Sequence, residues 1–341
     1  MTETVLVTGG TGYVASWCIC ELLDRRYTVR TTVRSLSKEP VVRAAASLTS
    51  DPGDRLSCVV ADLTADDGWD AAVKGVDYVL HVAQPLGNGG EQTPEELIRP
   101  AREGAVRVLR AAAAAGVKRV VMTSAANAAS PSSYTEEGIT DETLWTDPDD
   151  PTLIPYRRAK TVGEKAAWDF MAGYDGPMTL ATVLPGAVFG PIRSTSTVGS
   201  VNIIARMLSG RLPGTPRIGL EVVDVRDLAD VHIRAMTDPA AAGQRFLATG
   251  EFIWMNDMAK TLRSQLGEAG QKVSTRQLPD FLVRFMARFV DKSLRGITPA
   301  LGRRARHSTE KAEHVLGWTR RPAAEVVVDC AESLIEWKVV S

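Results

Sequence analysis

The sequence predicts an α/β fold: a parallel sheet wound with helices on both faces, followed by a smaller, mostly helical lobe. Three observations predict it. Up to about residue 190, short apolar runs alternate with helically spaced stretches, the pattern of βαβ units, whose crossovers make the strands parallel. The first apolar run stops at a glycine cluster that opens the first helical stretch. Beyond about residue 190 the alternation lapses, and from about Asn256 the chain reads as mostly helical. A length of 341 residues suits one large domain with a lobe and is ample for a buried core.

Taken in order, “TVLVT” (Thr4–Thr8) is a strand ending at glycines, and “VASWCICELLDRR” has helical spacing. “YTVRTTV”, “RLSCVVAD”, “DYVLHVA”, “RVVMTS” and “MTLATVLP” are further short strands, rich in valine and threonine. Between them lie helices over “GWDAAVKG”, Pro94 to Ala115 and Pro155 to Gly173. Proline opens a helix well because it wastes no N–H, and the glycine after “AAAAA” stops one. “LEVVDVRDLADVHIRAM” (Leu220–Met236) reads as a strand running into a helix, and “RFLAT” (Arg245–Thr249) as another strand. The resulting division is 1–190 for the sheet domain, with 220–249 returning to it, and 191–219 with 250–341 for the lobe. In “FLVRFMARFV” (Phe281–Val290), Phe281, Leu282, Phe285, Met286, Phe289 and Val290 form one apolar stripe, expected to cover a core or a substrate pocket. The segment Ser130 to Thr152 has no periodicity, and a loop of that length is usually functional or mobile.

Bulk properties exclude several classes. A net charge of −1 gives no field for nucleic acid or an anionic membrane. The four cysteines form no C-x-x-C pair, and the four histidines form no ligand motif, so reduced core thiols and no metal are expected. “MTETVLV” has no basic, cleavable start, and no apolar run is long enough to span a bilayer. A cytoplasmic location follows as the expectation.

“TGGTGYVA” (Thr8–Ala15) carries Gly9, Gly12 and Ala15 in a G-x-x-G-x-x-A spacing between the first strand and helix. Small residues there allow a tight turn and close approach of a pyrophosphate to the helix N-terminus. This marks a Rossmann-type dinucleotide site, with Thr8, Thr11, Tyr13 and Val14 completing the loop. At the end of the second strand an acidic residue would hold a ribose 2′-hydroxyl. Here “TTVRS” supplies Arg34, followed by Lys38, and no carboxylate until Glu39. Cations suit a 2′-phosphate, so the expected cofactor is NADP(H).

“PYRRAK” (Pro155–Lys160) by itself reads equally as the first turn of a solvated helix or as half of an active site. In context, the chain resembles the extended short-chain dehydrogenase/reductases, and within them the dihydroflavonol reductase-like group of NADPH-dependent ketone and aldehyde reductases. The resemblance rests on “VTGGTGYVA”, “TVRS”, “ADLT”, “HVAQP”, “VVMTSA”, “YRRAK”, “VLPGAVFGP”, “VDVRDLADVHI” and “VLGW”. It makes Tyr156 and Lys160 the catalytic pair. A ketone that accepts hydride needs a proton; a phenol can supply it, and a nearby ammonium would lower the phenol's pKa. Positions i and i+4 share a helix face, leaving Arg157 and Arg158 to structural or solvated roles. The resemblance also implies that Asp62 and Leu63 border the adenine. Ala83 would lie near the nicotinamide ribose, Pro185 to Val188 would pass the nicotinamide, and Thr123 would complete that wall. Gln84, Leu86, Phe189 and the Ser130–Thr152 loop are the expected substrate walls.

The family's usual Thr-Ser-Ser at the end of the fifth strand is here Thr123, Ser124, Ala125. The second serine, which binds the substrate carbonyl, is thus replaced by Ala125. Ser124 is the expected substitute if the strand ends and turns it inward, with Asn127 as second candidate. The expected partner is a small carbonyl compound, and a homodimer is compatible with the sequence. Two alternatives remain: a nucleotide-sugar epimerase or dehydratase on the same fold, or a non-enzymatic NADP sensor. Arg34 argues against the bound NAD of the first, “AANAAS” lacks the acids of a dehydratase, and sensors typically lose the Tyr/Lys pair.

Overall fold

The computed structural model describes residues 2–49, 51–84, 93–131, 138–195, 199–290 and 292–340. The first half alternates as the apolar pattern predicts: β1 (Thr4–Val7), α1 (Tyr13–Asp24), β2 (Thr28–Val33), α2 (Glu39–Ser47), β3 (Leu56–Val60), α3 (Trp69–Val73), β4 (Tyr78–His81), α4 (Pro94–Ala114) and β5 (Arg119–Thr123). Then come β6 (Gly138–Thr140), α5 (Pro155–Ala172), β7 (Thr179–Pro185), β8 (Ala187–Phe189), α6 (Val201–Leu208), β9 (Gly219–Asp224), α7 (Val225–Thr237) and β10 (Gln244–Ala248). The chain ends with β11 (Glu251–Trp254), α8 (Met255–Gln265), α9 (Asp280–Phe289), β12 (Ala305–His307), α10 (Glu310–Leu316) and α11 (Ala323–Glu336).

Seven strands form one sheet in the order β10-β7-β5-β4-β1-β2-β3, every neighbouring pair parallel. The order reverses between β1 and β4, and ligands of such sheets bind outside the carboxyl ends of the strands at that point. Helices cover both faces. Cys18, Ile19 and Leu22 of α1 pack with Val42 of α2 and Leu228 and Val231 of α7. On the other face Trp69 and Ala72 of α3 join Ala105, Val108 and Leu109 of α4 and Ala167 of α5. This is the doubly wound α/β class read from the sequence, with a helical C-terminal lobe whose core gathers Ile204, Met258, Leu262, Val326 and Leu334.

Local chemistry explains the helix ends. Thr93 at the N-cap of α4 and Glu96 in its first turn form a reciprocal capping box around Pro94. Pro155 starts α5, and Gly116, at φ +72, follows the alanine-rich end of α4.

Four features depart from the sequence reading. The segment 130–152 is not wholly irregular, because β6 pairs in parallel with the distant β12. β9 lies in a small sheet of order β11-β9-β8, while α7 and β10 join the main domain. Phe189, expected as a substrate wall, is fully buried in the lobe core, whereas Ala187 and Val188 before it line the cleft. The α9 stripe is only partly covered: Leu282 packs against the lobe core and Met286 is half-buried, whereas Phe281, Phe285 and Phe289 are 75%, 54% and 67% exposed, and the fully buried positions of α9 are Val283 and Ala287. Leu86 and residues 132–137 lie outside the described residues. Among the described residues, no helix is long and apolar enough to cross a membrane.

Candidate active site

One long cleft of about 1030 Å³ runs across the carboxyl ends of the sheet. Its floor is the turn after β1. Gly9 adopts φ +73, and a Cβ there would come within 2.9 Å of the Ala83 Cβ, so only glycine lets β1 and β4 approach this closely. Gly12 caps α1 without any side-chain hydrogen bond. The first N–H groups of that helix therefore have no intrahelical or side-chain acceptor, which is the arrangement that receives a pyrophosphate.

Gly9, Thr11, Gly12, Tyr13 and Val14 line the cleft, as do Arg34, Asp62, Leu63 and Ala83. Tyr13 contributes from its backbone side, because its hydroxyl donates to the Gly190 carbonyl at 2.8 Å. Thr8 sits behind the wall: its hydroxyl accepts from the Ala83 N–H and reaches His81 Nδ1 at 3.1 Å. Lys38 is exposed in the turn after β2 and is not among the cleft-lining residues. Arg34 is exposed and faces Asp62, whose carboxyl is held below its usual range by hydrogen bonds from Thr64 first and by Arg34 to a lesser degree.

At the centre of the cleft, α5 presents Tyr156 and Lys160 on one face, with Thr123, Pro185 and Val188 opposite. Lys160 is 8% exposed and its ammonium donates to the Ser124 carbonyl at 3.2 Å. Burial pushes its pKa down to about 8, opposed by the Glu164 carboxylate. His81, buried beside it, is pushed down to about 4 by burial first and by Lys160 second. Tyr156 is 41% exposed, yet the cleft walls enclose it enough that desolvation raises its phenol above the ordinary value. The Lys160 ammonium, expected to act on the phenol, donates in this structure to the Ser124 carbonyl.

Ser124 touches the cleft wall, but its hydroxyl does not serve it. The β5 ladder continues one residue past Thr123, since the Ser124 N–H donates to the Val183 carbonyl at 2.8 Å. Strand alternation is thus retained, and the Ser124 Oγ donates to Glu164 Oε2 at 2.7 Å. Glu164 also accepts from Thr182 Oγ1 at 2.7 Å and Arg245 Nε at 2.9 Å. Sequence reasoning missed this buried cluster. Glu164 follows Lys160 by four residues, a spacing that could have flagged it, but Arg245 lies 81 residues further along the chain.

The outer wall is polar where Ser130, His307 and Glu221 meet. His307 Nε2 lies 2.8 Å from Ser130 Oγ, and its Nδ1 lies 2.5 Å from Glu221 Oε2. Arg157, expected to point away, is 2% exposed and lines the cleft, with Nη2 donating to the Pro131 carbonyl. Gln84 and Ser130 are cleft-lining, as expected of substrate walls. Among the described residues, no group of His, Cys, Asp and Glu is arranged to hold a metal ion.

Residues 5–248 match the protein-family model described as the NAD dependent epimerase/dehydratase family. The chain is 33% identical over 274 residues to dihydroflavonol 4-reductase of Zea mays, covering 78% of this chain and 75% of that protein. It is 30% identical over 357 residues to ketoreductase azaE of Aspergillus niger, covering 98% of each. Among solved structures it superimposes on Gre2 in complex with NADPH from Candida albicans with a TM-score of 0.81, at 26% identity, covering 98% of this chain and 99% of that one.

Proposed function

The chain belongs to the NAD dependent epimerase/dehydratase family, and from that premise we propose that it is an NADPH-dependent reductase of ketones or aldehydes, of the dihydroflavonol reductase-like kind. Fold and homology support an NADP-binding oxidoreductase. The observation that carries the finer reading is a single cleft lined both by the Gly9–Val14 loop and by Tyr156 and Lys160.

The residues fit the cofactor. The glycine cradle cannot accept a Cβ at Gly9, the α1 N-terminus has free N–H groups, and Arg34 opens onto the cleft where a 2′-phosphate would lie. When bound, NADPH supplies the hydride. Tyr156, held protonated at neutral pH, donates the proton to the oxygen of the reduced carbonyl. Lys160, while charged, steadies the phenolate left behind. The same reading includes a small-molecule carbonyl substrate, supported by the reductases it resembles.

The test incubates purified protein with NADPH and a panel of aryl and alkyl ketones and aldehydes, following NADPH absorbance and identifying the alcohol. Stoichiometric oxidation with at least one carbonyl is expected. NADPH binding without turnover across a wide panel would favour a sensor. Conversion of a nucleotide sugar without net NADPH oxidation would favour an epimerase. With the best substrate, Tyr156→Phe should lower kcat by about 10² or more while leaving NADPH affinity nearly unchanged.

A further inference from the structure

We propose that Asn127 is the catalytic residue that holds the substrate carbonyl oxygen beside Tyr156, an assignment that rests on the reductase reading. The argument is an accounting of hydroxyl protons in the turn after β5. Thr123 Oγ1 lies 2.7 Å from His232 Nε2. The other nitrogen of that ring is 2.7 Å from the Leu228 carbonyl and must donate to it, so Nε2 accepts and the Thr123 proton is used. The Ser124 proton goes to Glu164, at a serine that is 1% exposed. Ser130 Oγ donates to the Ala126 carbonyl at 2.7 Å and is met by His307 from the other side. Ala125, at the position of the family's serine, has no polar group.

Asn127 is the exception. It is half-buried, lines the same cleft as Tyr156, and its side-chain amide has no hydrogen-bond partner among the described residues. Its backbone is nonetheless held. The Asn127 carbonyl accepts from Thr146 Oγ1 at 2.7 Å, and the adjoining Ala128 N–H closes onto the Ala125 carbonyl at 2.9 Å. An amide carries two N–H donors. A donor on a fixed backbone needs little reorganisation when negative charge develops on an oxygen bound in the cleft. Ser124 cannot take this role without withdrawing its proton from a carboxylate that is itself fully buried. The segment has therefore moved the oxygen-binding function two residues along, from the strand end to the turn.

The experiment compares steady-state kinetics and NADPH binding for the wild type, Asn127→Ala, Asn127→Asp, Asn127→Ser, Ser124→Ala, Gln84→Ala and Tyr156→Phe. Asn127→Ala should lower kcat by about 10²–10³, as for loss of one oxyanion donor, with NADPH Kd within about twofold. Asn127→Asp, which keeps the shape but loses the donors, should fall as far. Asn127→Ser restores a donor and should recover at least part of kcat, which a purely structural role would not give. A Gln84→Ala or Ser124→Ala loss in kcat larger than that of Asn127→Ala overturns the assignment. So does wild-type kcat in Asn127→Ala while Tyr156→Phe is inactive, and in that case the reductase reading survives. If the wild type reduces no carbonyl, the reductase reading fails and the assignment falls with it.

Discussion

Arg34 and Lys160 make the sharpest single-residue tests. Arg34 is the cation that lines the cleft at the end of β2, whereas Lys38 lies outside the lining. Arg34→Ala should therefore weaken NADPH about ten- to a hundredfold, the size of a charge-assisted contact to phosphate, and NADH far less. Equal losses in Kd for both cofactors would remove Arg34 from 2′-phosphate recognition. Lys160 has its pKa depressed from 10.5 to about 8, chiefly by burial. The ammonium is present below that value and is lost as pH rises through it. kcat/KM should accordingly fall on the alkaline side near pH 8. Lys160→Arg, charged throughout, should lose that limb even if its rate is lower at every pH. A profile flat from pH 7 to 9.5 in the wild type would show that the charge on Lys160 does not matter.

At the scale of elements, α5 is the hub. It carries Tyr156 and Lys160 at the cleft and, one turn further along the same face, Glu164 against β7 and β10. The Glu164–Arg245 pair is almost sealed, with side-chain exposures of 0% and 8%. Arg245 also donates to the Glu142 and Leu144 carbonyls and stacks 3.6 Å over the Trp145 ring. It thus ties the segment after β6 to α5 and the sheet. Removing one partner strands a buried charge, so Arg245→Met should destabilise the fold by about 3–5 kcal/mol. Glu164→Leu with Arg245→Met should recover much of that loss in denaturant unfolding. Additive losses would mean the pair is not the source of the penalty. On α9 Val283 and Ala287 are buried and Leu282 packs against the lobe core, while the phenylalanines at 281, 285 and 289 stay on its outer side. Apolar periodicity identifies a stripe, but not whether the molecule has anything to lay against it.

For the whole molecule, acid stability follows from two buried imidazoles. His81 and His232 are 4% and 0% exposed, and burial pushes each from 6.5 to about 4. Their folded values are depressed, so below about pH 6.5 the unfolded chain takes up protons that the folded one refuses. Stability is complete above that pH and falls progressively as pH drops toward 4, by roughly 3 kcal/mol per histidine. Asp227, raised to about 6 mainly by burial, acts in the opposite sense over the same window. Its shift is smaller than the sum of the two histidines, and its ion pair with Arg321 works against it. Thermal unfolding should therefore show a declining Tm between pH 6.5 and 4, and a shallower decline in His232→Gln. A Tm independent of pH across that interval would contradict the burial of both rings.

The sequence by itself determined the α/β class, the dinucleotide loop and the placement of Tyr156 and Lys160 on one helix face. Each is a local matter. Period-2 and period-3.6 patterns, glycines required by a turn, and an i,i+4 spacing are all written within a dozen residues. Tertiary structure alone decided what depends on distant partners. The destination of the Ser124 hydroxyl required Glu164, which is in turn held by Arg245. The pairing of β6 joined residues 138–140 to 305–307. Whether the α9 phenylalanines were covered depended on packing that no stripe records. A hydroxyl has one proton and a strand residue has one side. Which acceptor claims that proton is settled only when the neighbouring elements have packed around it.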